Sequence, residues 1–159
     1  MEDKLYSQED MEYIGRTIEL AREAAERDEV PIGALIVHRG EVIAAASNTR
    51  EESKCATHHA EILAIEEACR RLGGWRLPDC TLYVSLEPCP MCAGAIVNAR
   101  IDRVVYAAAD ARAGAFGSKV NLNDLDLNHK PEILGGVRAE ESRSVLSAYF
   151  RAKRRKKED

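Results

Sequence analysis

The chain has 159 residues, a length typical of one domain and sufficient to bury about two-thirds of the surface that it exposes when unfolded. Its 45% hydrophobic and 31% charged residues exclude a largely disordered chain, and no apolar run reaches the ~20 residues that a membrane span requires. The acidic residues 1–4 lack the features of a secretion signal, so we expect a cytoplasmic protein with a single domain over residues 1–159.

The net charge of −4 is unevenly distributed along the chain. Residues 1–29 contain ten acidic and four basic residues, whereas residues 150–159 contain six basic and two acidic residues. A local basic segment can attract a polyanion even on an acidic protein. It can equally be a solvated helix end whose bases complement the negative end of the helix dipole. Both interpretations of this basic tail, residues 151–159, stay open from the charge pattern alone.

The hydrophobic pattern predicts helices and strands in alternation. Helices are expected at about 7–28, 59–72 and 90–99, and from 140 into the basic tail, with a short one near Leu125. Strands are expected at 32–38, 41–46, 81–86 and 103–107, with a short fifth strand within 131–137. The polar segment 47–57 and the long segment 108–130 are expected to be irregular. Such alternation is typical of an α/β fold, in which helices cover both faces of a sheet.

A Cys-x-x-Cys motif follows the third predicted strand. Cys89 and Cys92 are close to the start of a predicted helix, so both sulfurs can point to one place, and the helix N-terminus favours the thiolate form. His59 opens an earlier helix, and Glu61 follows it in the same first turn. Two thiolates and one imidazole leave the fourth position of a tetrahedral zinc open, as in catalytic sites. The residues therefore predict a zinc that activates water, with Glu61 as a proton shuttle rather than a ligand.

Two other uses of the cysteine pair stay open. The pair can be a redox dithiol, although this leaves His59 and Glu61 without a role. It can also belong to a structural zinc site, which needs a fourth ligand. His58 is the candidate for that ligand, but adjacent helix residues point about 100° apart. Cys55 is close to His59 in the chain, yet its spacing gives no reason to make it a ligand.

The order His-Ala-Glu, then Pro-Cys-Pro-Met-Cys, resembles the signature of the zinc-dependent nucleoside and nucleobase deaminases. Further stretches resemble the bacterial tRNA-specific adenosine deaminases, namely 29–34, Asn48, 86–95, 100–101, 110–118, 128–129 and 149–155. The resemblance extends over nearly the whole chain. Thr57-His58 and Phe116 depart from the usual pattern of that family.

The resemblance implies a three-layer α/β/α cytidine-deaminase-like fold with a central five-stranded mixed sheet. It implies hydrolytic deamination of adenosine to inosine at the wobble position, position 34, of a tRNA anticodon, most often that of an arginine tRNA. His59, Cys89 and Cys92 would hold one zinc ion per subunit, with water or hydroxide as the fourth ligand. Glu61 would carry protons while the hydroxide attacks C6 of adenine.

The resemblance also implies the partners. The family is homodimeric, each RNA touches both subunits, and no membrane is involved. The anticodon stem-loop would contact three sets of residues: Val30, Asn48, Leu86 and Pro88 around the base, Asp110 and His129 near the flanking nucleotides or ribose, and Arg151, Lys153 and Arg154 at phosphates. Asn48 would hydrogen-bond the purine, although the sequence alone is equally consistent with a turn residue at this position.

Two competing functions share part of this pattern. A deaminase of a free base or nucleotide would use the same metal site and would need no basic tail. A non-enzymatic RNA-binding subunit would keep zinc for structure only, and it would have no need of the carboxylate of Glu61.

Overall fold

The computed structural model describes residues 6–158, so the acidic residues 1–4 and the last residue of the basic tail lie outside it. The helices are α1 (Gln8–Glu26), α2 (Arg50–Ser53), α3 (Ala60–Leu72), α4 (Pro90–Asn98) and α5 (Ala139–Glu158). The strands are β1 (Gly33–His38), β2 (Glu41–Ser47), β3 (Cys80–Leu86), β4 (Arg103–Ala108) and β5 (Glu132–Leu134). None of the helices within residues 6–158 has both the length and the apolar character of a membrane span.

The five strands form one sheet in the order β2-β1-β3-β4-β5. Strand β1 is antiparallel to β2 and β3, whereas β3, β4 and β5 are parallel to one another. Helices α1 and α5 cover one face of the sheet, and α3 and α4 cover the other. This arrangement confirms the predicted three-layer α/β/α fold with a five-stranded mixed sheet.

Helix α1 begins where its sequence provides a capping box. The Ser7 hydroxyl accepts the N–H of Asp10, and the Asp10 carboxylate accepts the N–H of Ser7. The same carboxylate accepts the Tyr83 hydroxyl at 2.7 Å and two N–H groups of Arg103 at 2.8 Å. Hydrogen bonds from Arg103, Tyr83 and Ser7 outweigh the opposing effect of burial and hold the pKa of Asp10 below its ordinary value. Asp10 therefore fixes the start of α1 to β3 and β4.

Helix α3 lies close to the sheet because it presents small side chains to it. Ala60, Ala64 and Ala68 are fully buried in the core beneath this face, together with Ile96 of α4. Because each of these alanine side chains is a single methyl group, the axis of α3 can lie close to the strands. This packing sets the depth at which the first turn of α3 meets the end of β3.

The segment 47–57, expected to be irregular, contains the one-turn helix α2. The carboxylate of Glu29 accepts the N–H groups of Glu51 at 3.0 Å and Glu52 at 2.7 Å, which stabilises this turn. Lys54 then adopts a left-handed conformation with φ of 54° and ends it. The short helix expected near Leu125 is a single 3-10 turn at Leu122–Asp124.

Candidate active site

The three predicted ligands lie at the starts of two helices. His59 is the N-cap of α3, and Cys89 is the N-cap of α4. Both have extended backbones, so each side chain leaves its helix at the end where the N–H groups are unpaired. Cys92 lies in the first turn of α4 and is fully buried. The two helix N-termini thus present two sulfurs and one imidazole to one point.

The separations of the three ligand atoms suit a tetrahedral metal. Nδ1 of His59 lies 3.7 Å from the sulfur of Cys89 and 3.6 Å from that of Cys92. Zinc bonds of about 2.3 Å to sulfur and about 2.0 Å to nitrogen at tetrahedral angles would place S and N about 3.5 Å apart. All three candidate ligand atoms lie within 4.8 Å of one another, and among the described residues these three form the group of His, Cys, Asp and Glu side chains that could hold a metal ion. The donor set and its spacing fit zinc.

The surroundings of Cys89 favour its thiolate form. A hydrogen bond from Cys92, together with one from the imidazole of His59, lowers the pKa of Cys89 to about 4. A thiolate is the form of cysteine that binds a metal. The pKa of His59 is raised by its hydrogen bond to Cys89. Cys89 is therefore the ligand held as an anion, next to the imidazole of His59.

Glu61 is buried beside the ligands and is not fully satisfied. It is 3% exposed, and among residues 6–158 its Oε1 atom has no hydrogen-bond partner. Burial raises the pKa of Glu61 to about 7. An unpaired buried carboxylate oxygen is costly, on the order of 1–3 kcal/mol or more, and such groups in native proteins have a reason. Oε1 is available to a ligand of the site.

Asn48 is hydrogen-bonded to the start of α3, where His59 is the N-cap. It is 3% exposed, and its Oδ1 accepts the N–H of Ala60 at 2.8 Å. Because its carbonyl oxygen is engaged, Asn48 can offer its amide N–H groups to a ligand. The side chain of Asn48 therefore pairs with the first N–H of α3, directly after the candidate ligand His59.

A cavity of about 170 Å³ joins Asn48 to the C-terminal helix. Its lining includes Val30, Asn48, Tyr149, Phe150 and Lys153. The Tyr149 hydroxyl donates to the carbonyl oxygen of Asp28, and Lys153 forms an ion pair with Asp28 at 3.4 Å. Helix α5 is thus attached to the loop that precedes β1, and three of the predicted contact residues, Val30, Asn48 and Lys153, share one cavity.

The other predicted contact residues are more dispersed. Leu86 ends β3 and Pro88 follows it next to Cys89, while Arg151 and Arg154 are exposed on α5. Asp110 accepts the N–H groups of Arg112 and Ala113 in a turn. His129 lies 2.6 Å from the carbonyl oxygen of Ile101 through its Nε2 atom. Their proposed contacts with RNA stay predictions.

His58 and Cys55 lie outside the metal-binding cluster of the described residues. Nδ1 of His58 lies 2.8 Å from the hydroxyl of Ser53, so its ring is held by the wall formed by α2. The sulfur of Cys55 lies 3.3 Å from the Thr57 hydroxyl. The alternative of a closed structural site with His58 as fourth ligand has no support in this geometry.

Two buried glutamates next to the site received no role from the sequence. Glu29 holds α2, and Glu87 accepts hydrogen bonds from the loop that follows β4. The signal that could have found them is a glutamate next to a strand predicted to be fully buried, because such a charge needs partners.

A sequence profile of MafB19-like deaminases matches residues 8–154. The tRNA-specific adenosine deaminase of Bacillus subtilis (strain 168) is 49% identical over 146 residues, 91% of each chain. A solved structure from work on A-to-I editing by tRNA:A34 deaminases at the wobble position has 45% identity and a TM-score of 0.83. The match covers 85% of this chain and 99% of that chain.

The chain belongs to the tRNA-specific adenosine deaminase family. A guanine deaminase structure from Nitrosomonas europaea is also similar, at 25% identity and a TM-score of 0.77, covering 91% of this chain and 85% of that chain. The lower identity to the guanine enzyme favours the tRNA branch of the deaminases. Membership makes this deaminase an enzyme, which disfavours both the redox dithiol and the non-enzymatic subunit.

Proposed function

We propose that this deaminase converts adenosine to inosine by hydrolysis at the wobble position of a tRNA anticodon, with an arginine tRNA as the main substrate. The observation that carries the proposal is the juxtaposition of His59, Cys89 and Cys92 with the buried, unpaired Oε1 of Glu61. Homology to enzymes that act on tRNA adenosine supports the choice of substrate.

The residues divide the chemistry between them. One zinc ion held by His59, Cys89 and Cys92 would lower the pKa of a water towards ~7 and so supply a nucleophile at neutral pH. Glu61 accepts a proton from the attacking water and donates it to N1 of adenine; it then accepts the proton of the new C6 hydroxyl and passes it to the departing ammonia. Asn48 orients the purine through its free N–H groups. Water and adenosine are thereby converted to ammonia and inosine.

The substrate base must leave its stack to reach this depth. Single-stranded loops of RNA permit such unstacking at lower cost than duplexes. Val30, Leu86 and Pro88 would then surround the base, with Asp110 and His129 near the flanking nucleotides. On α5, the exposed side chains of Arg151 and Arg154 and that of Lys153 at the cavity would contact RNA phosphates.

We also propose that the deaminase acts as a homodimer in the cytoplasm, each subunit forming a single domain. Of the seven exposed large apolar side chains in the described part, six lie on or next to α3, α4 and the segment 120–127: Leu72, Trp75, Met91, Val120, Leu125 and Leu127. A groove of about 340 Å³ runs between α3 and α4, lined by Ile62 and Ala95 among others. Six exposed apolar side chains together with this groove support subunit contact on the α3–α4 side of the sheet.

The substrate assignment is tested by offering the zinc-loaded protein an arginine tRNA anticodon stem-loop in parallel with free adenosine, guanine and cytidine. We expect inosine in the RNA and no ammonia from the free compounds. A stem-loop with guanosine at position 34 is the matched control and should be unchanged. Ammonia released from a free base, with the RNA unaltered, would assign the protein to the base deaminases instead.

A further inference from the structure

Glu87 is a buried carboxylate whose partners all come from one loop. It is 2% exposed and lies between the end of β3 and the ligand Cys89. Its two oxygens accept the N–H groups of Asp110, Phe116 and Ser118, each at 3.1 Å. The Ser118 hydroxyl also donates to Oε1. Four donors of the segment 110–118, hereafter the 110–118 loop, thus converge on one side chain.

The loop depends on these bonds for its path. It runs between β4 and the 3-10 turn, and the Phe116 backbone forms an isolated bridge with Asn121. Removal of the Glu87 carboxylate would leave the buried N–H of Phe116 without its acceptor, and an unpaired buried donor is costly. A buried carboxylate is itself expensive to desolvate, so its retention requires hydrogen bonds of good geometry.

Two further contacts fix the loop against the metal-binding turn. A Cβ added at Gly114 would lie 2.4 Å from the carboxyl carbon of Glu87, so the backbone approaches at a distance that only glycine allows. The N–H of Ala115 donates to the carbonyl oxygen of Pro88 at 2.8 Å. The two residues that precede Cys89 in the chain therefore both hold the loop.

We propose that Glu87 is a positioning residue, which keeps the 110–118 loop as a fixed wall beside the metal site so that the RNA meets a preformed surface. This inference rests on the proposed function. The loop presents Asp110 and the exposed base Arg112, and the exposed Lys119 follows it directly. A loop released from Glu87 must be reordered by each RNA that binds, so affinity falls while the ligand cluster stays intact.

The test is the isosteric variant Glu87→Gln. Its side-chain oxygen can still accept hydrogen bonds, but its NH₂ group would face the loop donors that now bond to the second carboxylate oxygen. We expect KM for the anticodon stem-loop to rise about tenfold, the effect of one lost charge-assisted hydrogen bond, with kcat changed by less than about threefold. The zinc content should equal that of the wild type. Trypsin should cleave after Arg112 and Lys119 faster than in the wild type, whether or not RNA is a substrate.

Ser118→Ala removes one donor and should shift KM and cleavage in the same direction by a smaller factor, and it serves if Glu87→Gln does not fold. Asp10→Asn is the matched control, since Asp10 is also a buried carboxylate with several donors but lies on the α1 side of the sheet.

An unaltered KM and trypsin pattern in Glu87→Gln would overturn the proposal. So would loss of zinc in proportion to activity, or an equal rise of KM in Asp10→Asn. A wild type inactive on RNA would refute the proposed function alone, because the trypsin comparison still reports on the loop.

Discussion

At the scale of single residues, Glu61 combines deep burial with a carboxylate oxygen that has no hydrogen-bond partner among the described residues. In the proposed mechanism, Oε1 of Glu61 gains its partner from the substrate or the attacking water. A carboxylate in this position costs free energy in the resting protein. The cost is consistent with a group kept for chemistry rather than for stability.

Replacement of Glu61 by Gln should abolish deamination without loss of fold or zinc. Positioned proton transfer typically contributes about 10²–10⁴-fold to a rate, so we expect kcat on the stem-loop to fall by at least about 10²-fold. Inosine formation and zinc content measure the two effects separately. Glu67→Gln, on the same helix, is the control and should keep wild-type activity. Retained turnover in Glu61→Gln would refute the shuttle role.

Asp10 should contribute stability that depends on pH. Its pKa is lowered in the folded protein by Arg103, Tyr83 and Ser7, so its contribution is present above its unfolded pKa of about 3.9 and is lost as the pH falls towards the folded value. At pH 7, Asp10→Asn should lower the free energy of unfolding by about 2 kcal/mol. The difference from wild type, measured by urea unfolding, should shrink between about pH 5 and pH 2. A difference that is constant across this range would contradict the assignment.

At the scale of helices and strands, the sequence predicted the elements whose positions are determined by residues close together in the chain. Helices α1 and α3 follow their apolar spacing, and β3 follows a β-branched and aromatic run, so their positions were predicted within about two residues. The one-turn helix α2 was missed because its stabilising carboxylate, Glu29, is 22 and 23 residues from the N–H groups that it accepts. No local pattern contains that information.

The candidate site shows the same division. The proximity of His59, Cys89 and Cys92 could be predicted because the motif places these residues near helix starts. The hydrogen bonds of Glu87 could not be predicted, because its partners Phe116 and Ser118 are 29 and 31 residues away on a loop without regular structure. Only the folded path of that loop reveals them.

The C-terminal half of α5 should act as the phosphate-contacting element. Deletion of residues 151–159 should weaken binding of the anticodon stem-loop and leave zinc in place. Each lost phosphate contact should reduce the slope of log K against log salt by about 0.7, so the loss of three contacts reduces it by about two. Titrations at several salt concentrations measure this slope. An unchanged slope would show that residues 151–159 do not contact phosphates and form only a solvated helix end.

Neutralisation of bases elsewhere provides the control for that deletion. Arg70 and Arg71 lie in the last turn of α3, and both are exposed. The double substitution of these two residues by Gln also removes positive surface charge, and it should leave the salt slope of RNA binding unchanged.

At the scale of the whole molecule, the apolar face over α3, α4 and segment 120–127 should hold two subunits together. Trp75, 56% exposed, is the largest side chain on it. Light scattering after size-exclusion chromatography should give the wild type twice the 17.6 kDa chain mass, and Trp75→Glu should shift it towards the monomer. Phe150→Glu, an exposed aromatic outside this face, should keep the wild-type mass. A wild type that is monomeric at micromolar concentration would refute the proposal.

The start of α1 and the Tyr149–Lys153 part of α5 lie toward opposite ends of the sheet. The start of α1 is tied through Asp10 to Arg103, the first residue of β4, whereas the metal-binding turn follows the far end of the parallel strand β3. Helix α5 runs past the cavity that contains Asn48. A reporter domain or affinity tag fused after residue 159 would therefore place its linker beside the proposed path of the RNA. The start of α1 lies roughly a strand length, about 20 Å, from this path. An attachment on the side where α1 begins therefore keeps a linker farther from the proposed approach of the RNA.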